Sequence, residues 1–175
     1  MTAPLQSHPI APLIQFTLIG LYLALVMPLP FVATGTMQVL LLWAIPLGLI
    51  LMVALTSERV TVDNGGIKVG YPRWCNWLLQ RGWSLEWQKI QGLTPVTTSQ
   101  GGRVYYVRST EGIAYLLPQR VANFEAFLSR FQQASGIDTS NVVRITPPWT
   151  YQLLAVLSGA LLVGEGAMGL WMGRN

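Results

Sequence analysis

Charged residues are scarce in this sequence, 10% of 175, where ordinary soluble domains carry roughly 25%. That shortfall argues for a membrane protein rather than a chain soluble throughout. Cysteine occurs once, as Cys75, so no internal disulfide can form, which fits a reducing compartment. Histidine also occurs once, as His8. A serine or cysteine hydrolase needs a base beside its nucleophile, and structural zinc needs clustered Cys and His. Both classes are therefore excluded. No glycine-rich phosphate loop is present either, because Gly101-Gly102 follows Gln100 and leads into a strand-like segment rather than a helix. Asp63 and Glu111 fall in predicted turns, where such residues are turn formers. Basic runs are missing too: the formal net charge is +4, but it is scattered, which argues against nucleic-acid binding. No catalysis, metal or cofactor is expected.

What the chain does have is apolar length. Two runs, 12–32 and 37–55, contain no Asp, Glu, Lys or Arg and flank the short linker Ala33-Thr34-Gly35-Thr36. A helix rises about 1.5 Å per residue, so roughly 20 apolar residues cross a hydrocarbon layer about 30 Å thick. Backbone in lipid must satisfy its own hydrogen bonds, so both runs are predicted as helices of a transmembrane hairpin. Residues 1–11 hold no Lys or Arg, and the first run is too long for a secretory signal. A retained anchor is expected, preceded by a weakly polar tail, 1–11, in which His8 is solvated. Pro28 and Pro30 predict a stop or kink late in the first helix, and Pro46 a bend in the second.

At Ser57 the composition changes. Every Lys and Arg except Arg174, and every acid except Glu165, lies between Ser57 and Pro147. Basic residues close to the second helix put this domain and the N-terminus on the cytoplasmic side, or the stromal side of a photosynthetic membrane. Glu58–Val62 and Ile67–Tyr71 alternate around the turn Asp63-Asn64-Gly65-Gly66, which predicts a β-hairpin. Further strands are expected at Trp83–Trp87, continuing past a bulge near Gln91-Gly92, then at Val104–Arg108 and Ile113–Leu117, about six in all and antiparallel. A helix follows over 123–135. Asn123 suits its N-cap and Gly136 its C′ position, and Phe124, Phe127, Leu128 and Phe131 make a stripe that should cover the sheet.

The last segment, 151–172, is apolar and holds one charge, Glu165. Trp149 and Tyr151 at one end and Trp171 at the other form aromatic belts, predicting a third span that carries the C-terminus to the opposite side. On a helical wheel Ala155, Gly159, Gly166, Gly169 and Gly173 share one side, where another backbone can approach closely. The other two helices of the chain, or another protein, could occupy it. An intramembrane carboxylate usually faces a bundle interior or cavity. For Glu165 three roles compete: a neutral hydrogen-bonding acid, a proton or ion site, and a ligand to a pigment metal. The stretch 71–87 interleaves tryptophans with Arg73 and Arg81. Trp83 and Trp87, at strand spacing, read as partly core. Trp74, Trp77, Leu78 and Leu79 read either as core or as a loop docked on membrane or partner.

The order of these pieces resembles the bacterial membrane-anchored pleckstrin-homology-like (PH-like) domains. The matching residues are Arg59-Val60-Thr61-Val62 with its glycine turn, Ser84–Gln91, and the amphipathic helix from Asn123. The layout also resembles the photosystem I assembly factors of chloroplasts and cyanobacteria. There the correspondence covers residues 12–135, with Lys89-Ile90-Gln91, Gly102–Tyr106 and Gly112–Pro118 as counterparts; the third helix has none. The resemblance implies a thylakoid or plasma-membrane scaffold and brings no catalytic residues. The expected fold is therefore an α+β membrane protein: a two-helix hairpin, a small antiparallel PH-like β-domain over 57–147, and a third spanning helix. Its expected function is a non-enzymatic scaffold or assembly factor for a larger membrane complex of photosystem type, in contact with the lipid bilayer. The interaction residues would be Arg73, Trp74, Trp77, Leu78 and Arg81 in the loop, with Gly159, Gly166, Gly169 and Gly173 on the last helix. The rival is a pigment- or ion-handling protein centred on Glu165.

Overall fold

The computed structural model describes residues 6–79, 82–145 and 147–172. These form two compact units. One holds the described residues up to Ala11 together with Ser57–Pro147, and the other holds Pro12–Thr56 and the described residues from Pro148 onward.

The second unit is helical. Its elements are α1 (Pro12–Val26), a single turn α2 (Leu29–Val32), α3 (Thr36–Leu55) and α6 (Pro148–Met172). Pro28 has no N–H to continue α1, and the helix breaks there into α2, as proline so placed requires. Three stretches, Pro12–Val32, Thr36–Leu55 and Trp149–Trp171, are long and apolar enough to cross a membrane. Most of their large side chains face outward; Trp43 is 71% exposed and Val163 74%. Apolar exposure on that scale is stable in lipid and not in water.

Polar and small groups hold these helices together. The Tyr22 hydroxyl on α1 donates to the Ile45 carbonyl on α3 at 2.7 Å, beside Pro46, whose ring removes a donor from the helix. Gly48 makes room for this contact, since any side chain there would collide with the Tyr22 hydroxyl. Between α1 and α6, Thr17 donates to Leu13 O at 2.7 Å and to Tyr151 O at 3.3 Å. A Cβ on Gly20 would lie 3.4 Å from the Ser158 hydroxyl.

The first unit is β-rich. Among the described residues, β1 (Gln6–Pro9), β2 (Arg59–Val62), β3 (Gly66–Gly70) and β4 (Trp83–Glu86) form one antiparallel sheet in that order. A second sheet contains β5 (Ile90–Thr97), β6 (Arg103–Ser109) and β7 (Ala114–Leu116). The β2–β3 hairpin closes where Asp63 Oδ1 accepts from Gly65 N and Gly66 N, each at 2.8 Å, an Asx turn. Val60, Val62, Ile67 and Val69 alternate into the core. There they join Val107, Leu117 and the stripe Phe124, Phe127, Leu128 and Phe131 from α5 (Phe124–Ser135). The β5 bulge falls between Ile90 and Gly92.

Three details differ from the sequence expectations. Residues 1–11 are not simply a solvated tail, because Gln6–Pro9 is the edge strand β1, with His8 opposite Val60. Pro9 is tolerated because an edge strand has donors to spare, and the following residues are also fastened, Ala11 N to Arg120 O at 2.8 Å. The His8 ring lies edge-on to Phe127 at 5.7 Å, and its Nε2 is buried with no hydrogen-bond partner among the described residues. Second, β4 and β5 are not one bulged strand: a 3-10 turn, Trp87–Lys89, passes the chain from the first sheet to the second. Finally, Asn123 adopts φ 51° and makes no side-chain cap, so it sets the chain direction into α5 rather than capping it. Gly136 does take the left-handed C′ position, donating to Gln132 O at 2.8 Å.

Candidate interaction surfaces

On α6 the partly or fully buried positions Tyr151, Ala155, Ser158, Leu162 and Glu165 follow four- and three-residue spacing, one stripe of the helix. Tyr151 and Ser158 in that stripe meet α1, and Glu165 lies along it. Gly159 and Gly166 fall on the adjoining side and Gly169 continues the stripe one turn past Glu165; an added Cβ at any of the three would meet nothing within 4 Å. Of the single side read from the sequence, Ala155 and Gly169 thus lie on the stripe through Ser158, and Gly159 and Gly166 lie beside it. A serine-centred stripe packs within the chain, and the glycine side stays open. Gly173 lies outside the described residues.

The tryptophan-rich stretch is built on a short helical turn, α4 (Arg73–Asn76). The Pro72 carbonyl accepts from Cys75 N at 3.1 Å and Asn76 N at 3.0 Å; the Cys75 carbonyl accepts from Leu78 N and Leu79 N, each at 3.0 Å. Cys75 points inward and is buried. Trp74, Trp77 and Leu78 are spaced i, i+3, i+4 and point outward, Trp77 being 73% exposed. Arg73 is exposed beside them. Trp83 and Trp87 behave differently. Trp83 stacks on Tyr115 at 4.9 Å, while Trp87 meets Phe131 edge-on and donates from Nε1 to Asp63 O at 2.9 Å. Arg81 lies outside the described residues.

One cavity in the β-unit, about 230 Å³, was not foreseen. Its lining includes Ile10, Glu58, Leu117, Arg120, Val121 and Ile145. Burial pushes the Glu58 carboxyl above its ordinary range, and the nearby Arg120 charge opposes that shift. Ile10, Glu58 and Ile145 each lie within a few residues of α1, α3 or α6. No sequence signal joins such distant positions. By contrast, Thr17, Tyr22 and Ser158 were discoverable as hydroxyls placed in otherwise apolar runs.

These features define a membrane-associated α+β protein with two antiparallel sheets and three helices apolar enough to span a bilayer. The chain belongs to the same family as a cyanobacterial protein of Synechocystis sp. (strain ATCC 27184 / PCC 6803 / Kazusa), described as uncharacterized protein slr0269. The two are 41% identical over 156 residues, covering 86% of this chain and 78% of the relative. No protein-family model matches the chain, and no solved structure does.

Proposed function

We propose that this protein is a non-enzymatic membrane scaffold or assembly factor that holds a larger complex of a photosynthetic membrane. The observation that carries the proposal is the open glycine side of α6, next to a stripe already used for packing within the chain. In lipid, where the hydrophobic effect no longer drives helix association, such a side favours close contact with another helix. The occupant is a transmembrane helix of the partner complex. Two sheets closed by one amphipathic helix support a PH-like reading of the β-unit, and a cyanobacterial relative supports a thylakoid or plasma-membrane location. Basic residues after α3 favour the cytoplasmic or stromal side for the β-unit and the N-terminus, leaving the C-terminus on the other side.

Mild-detergent purification of the tagged chain from a cyanobacterial membrane tests this. A membrane complex should co-migrate with the wild-type chain in fixed ratio and be lost from Gly159→Leu with Gly166→Leu, while both chains insert equally. Retention by that variant would refute the glycine side as the contact. The same preparations address the pigment- or ion-handling rival. Stoichiometric pigment in the visible spectrum, lost in Glu165→Ala, would replace the scaffold reading, whereas a complex retained by Glu165→Ala favours it.

A further inference from the structure

We infer that the turn Arg73–Leu78 is an interfacial anchor, with Trp74, Trp77 and Leu78 seated in the headgroup layer of the bilayer that the apolar helices cross. The inference rests on those helices being in a bilayer and not on the partner assigned to α6.

Strand register places the turn. In the first sheet Pro9 pairs with Arg59, and Arg59 pairs with Gly70, so all three lie at one end. Pro9 is three residues before the start of α1 at Pro12, and Arg59 four after the end of α3 at Leu55. The connection from Gly70 to Trp83 leaves from the same end, because Val69 pairs with Trp83. The tryptophan turn therefore leaves the sheet at the end whose strands join, within three and four residues of chain, two apolar helices.

Its chemistry fits the layer found there. Three large apolar groups point out from a turn whose backbone bonds are closed internally and whose small Cys75 fills the inner side. The Trp77 indole N–H is satisfied by Trp74 O at 2.9 Å, so it carries no unmet donor into an apolar setting. Charge along the sheet has the matching polarity. Exposed Arg59 and Arg73 mark the near end, and exposed Asp63 and Glu86 the far end. Cations beside amphipathic aromatics suit a surface of lipid phosphates.

Depth-dependent quenching tests the anchor. The full chain is reconstituted in phosphatidylcholine vesicles containing a minority of phosphatidylglycerol. Tryptophan emission is recorded for wild type and for Trp74→Phe with Trp77→Phe, and the difference isolates the turn. Because an interfacial group lies about 5–10 Å into the headgroup boundary, shallow-brominated lipids should quench the difference emission about twice as strongly as deep-brominated ones. Acrylamide in the water should have little effect. Quenching by acrylamide and not by lipid would place the turn in water and overturn the anchor. Protection from both quenchers would overturn it in favour of a second copy or the protein core. The emission that remains in the variant, which includes Trp43 of α3 and Trp171 of α6, is the control. If lipid bromines fail to quench that too, the bilayer reading falls along with the anchor.

Discussion

Glu58 lies immediately before β2, next to Arg59, and its burial has a measurable consequence. Burial holds its carboxyl above the ordinary range, so the folded β-unit favours the protonated form. The resulting stabilisation is present below the unfolded pKa of a glutamate and is lost as pH rises through the raised folded value. Thermal unfolding of wild type should therefore lose ground to Glu58→Gln as pH climbs from about 4 to 8. A constant separation between the two curves would contradict this. Tyr22 offers a second test in the helical unit. Tyr22→Phe removes the bond to Ile45 O and should lower stability in detergent by about 0.6–2 kcal/mol, read from unfolding by a denaturing detergent. Gly48→Val should do more damage, because its side chain would displace the Tyr22 ring. The residues that settle these contacts were only half legible in the sequence. A tyrosine in an apolar run signals a hydrogen bond, but not to which helix. A glutamate before a strand gives no sign that Arg120 and Ile145 will close over it.

The elements divide by how local their signals are. The β2–β3 hairpin was legible because its turn is satisfied by one neighbouring side chain, Asp63. Helix α5 was legible because its four buried apolar residues repeat at helical spacing. Phe127 is fully buried within that stripe, so Phe127→Ala should cost about 3–5 kcal/mol. Chemical denaturation of the full chain, followed by near-ultraviolet circular dichroism, should register the loss. A change below about 1 kcal/mol, the size typical of surface sites, would deny Phe127 its place in the core. Strand β1 was illegible for the opposite reason. Four residues with one proline carry too little periodicity, and pairing comes from β2, which lies beyond α1 and α3 in the chain. The break between β4 and β5 was hidden as well, because the step out of the Trp83, Leu85, Trp87 alternation before Ile90 reads as a bulge in one strand as readily as a 3-10 turn that changes sheets. In α6 the glycines were legible as a side open to close approach, but not that α1 packs on the stripe through Ser158.

At the scale of the whole molecule, composition alone located the apolar helices, because spanning length and lack of charge need no tertiary information. It could not reveal that strands on both sides of the α1–α3 hairpin share one sheet. That sharing ties the N-terminal strand to the same unit as Ser57–Pro147, and the proposed topology has the two ends of the hairpin emerging on one side of the bilayer. The most direct measurement is side-specific labelling of sealed vesicles by a membrane-impermeant maleimide, in a Cys75→Ala background carrying either Thr34→Cys or Asn64→Cys. Thr34 lies in the link between the first two apolar helices, and Asn64 in the exposed β2–β3 turn. Labelling of the two sites from opposite faces is the predicted result; labelling of both from one face, or loss of the protein from the membrane in alkaline carbonate, would contradict it.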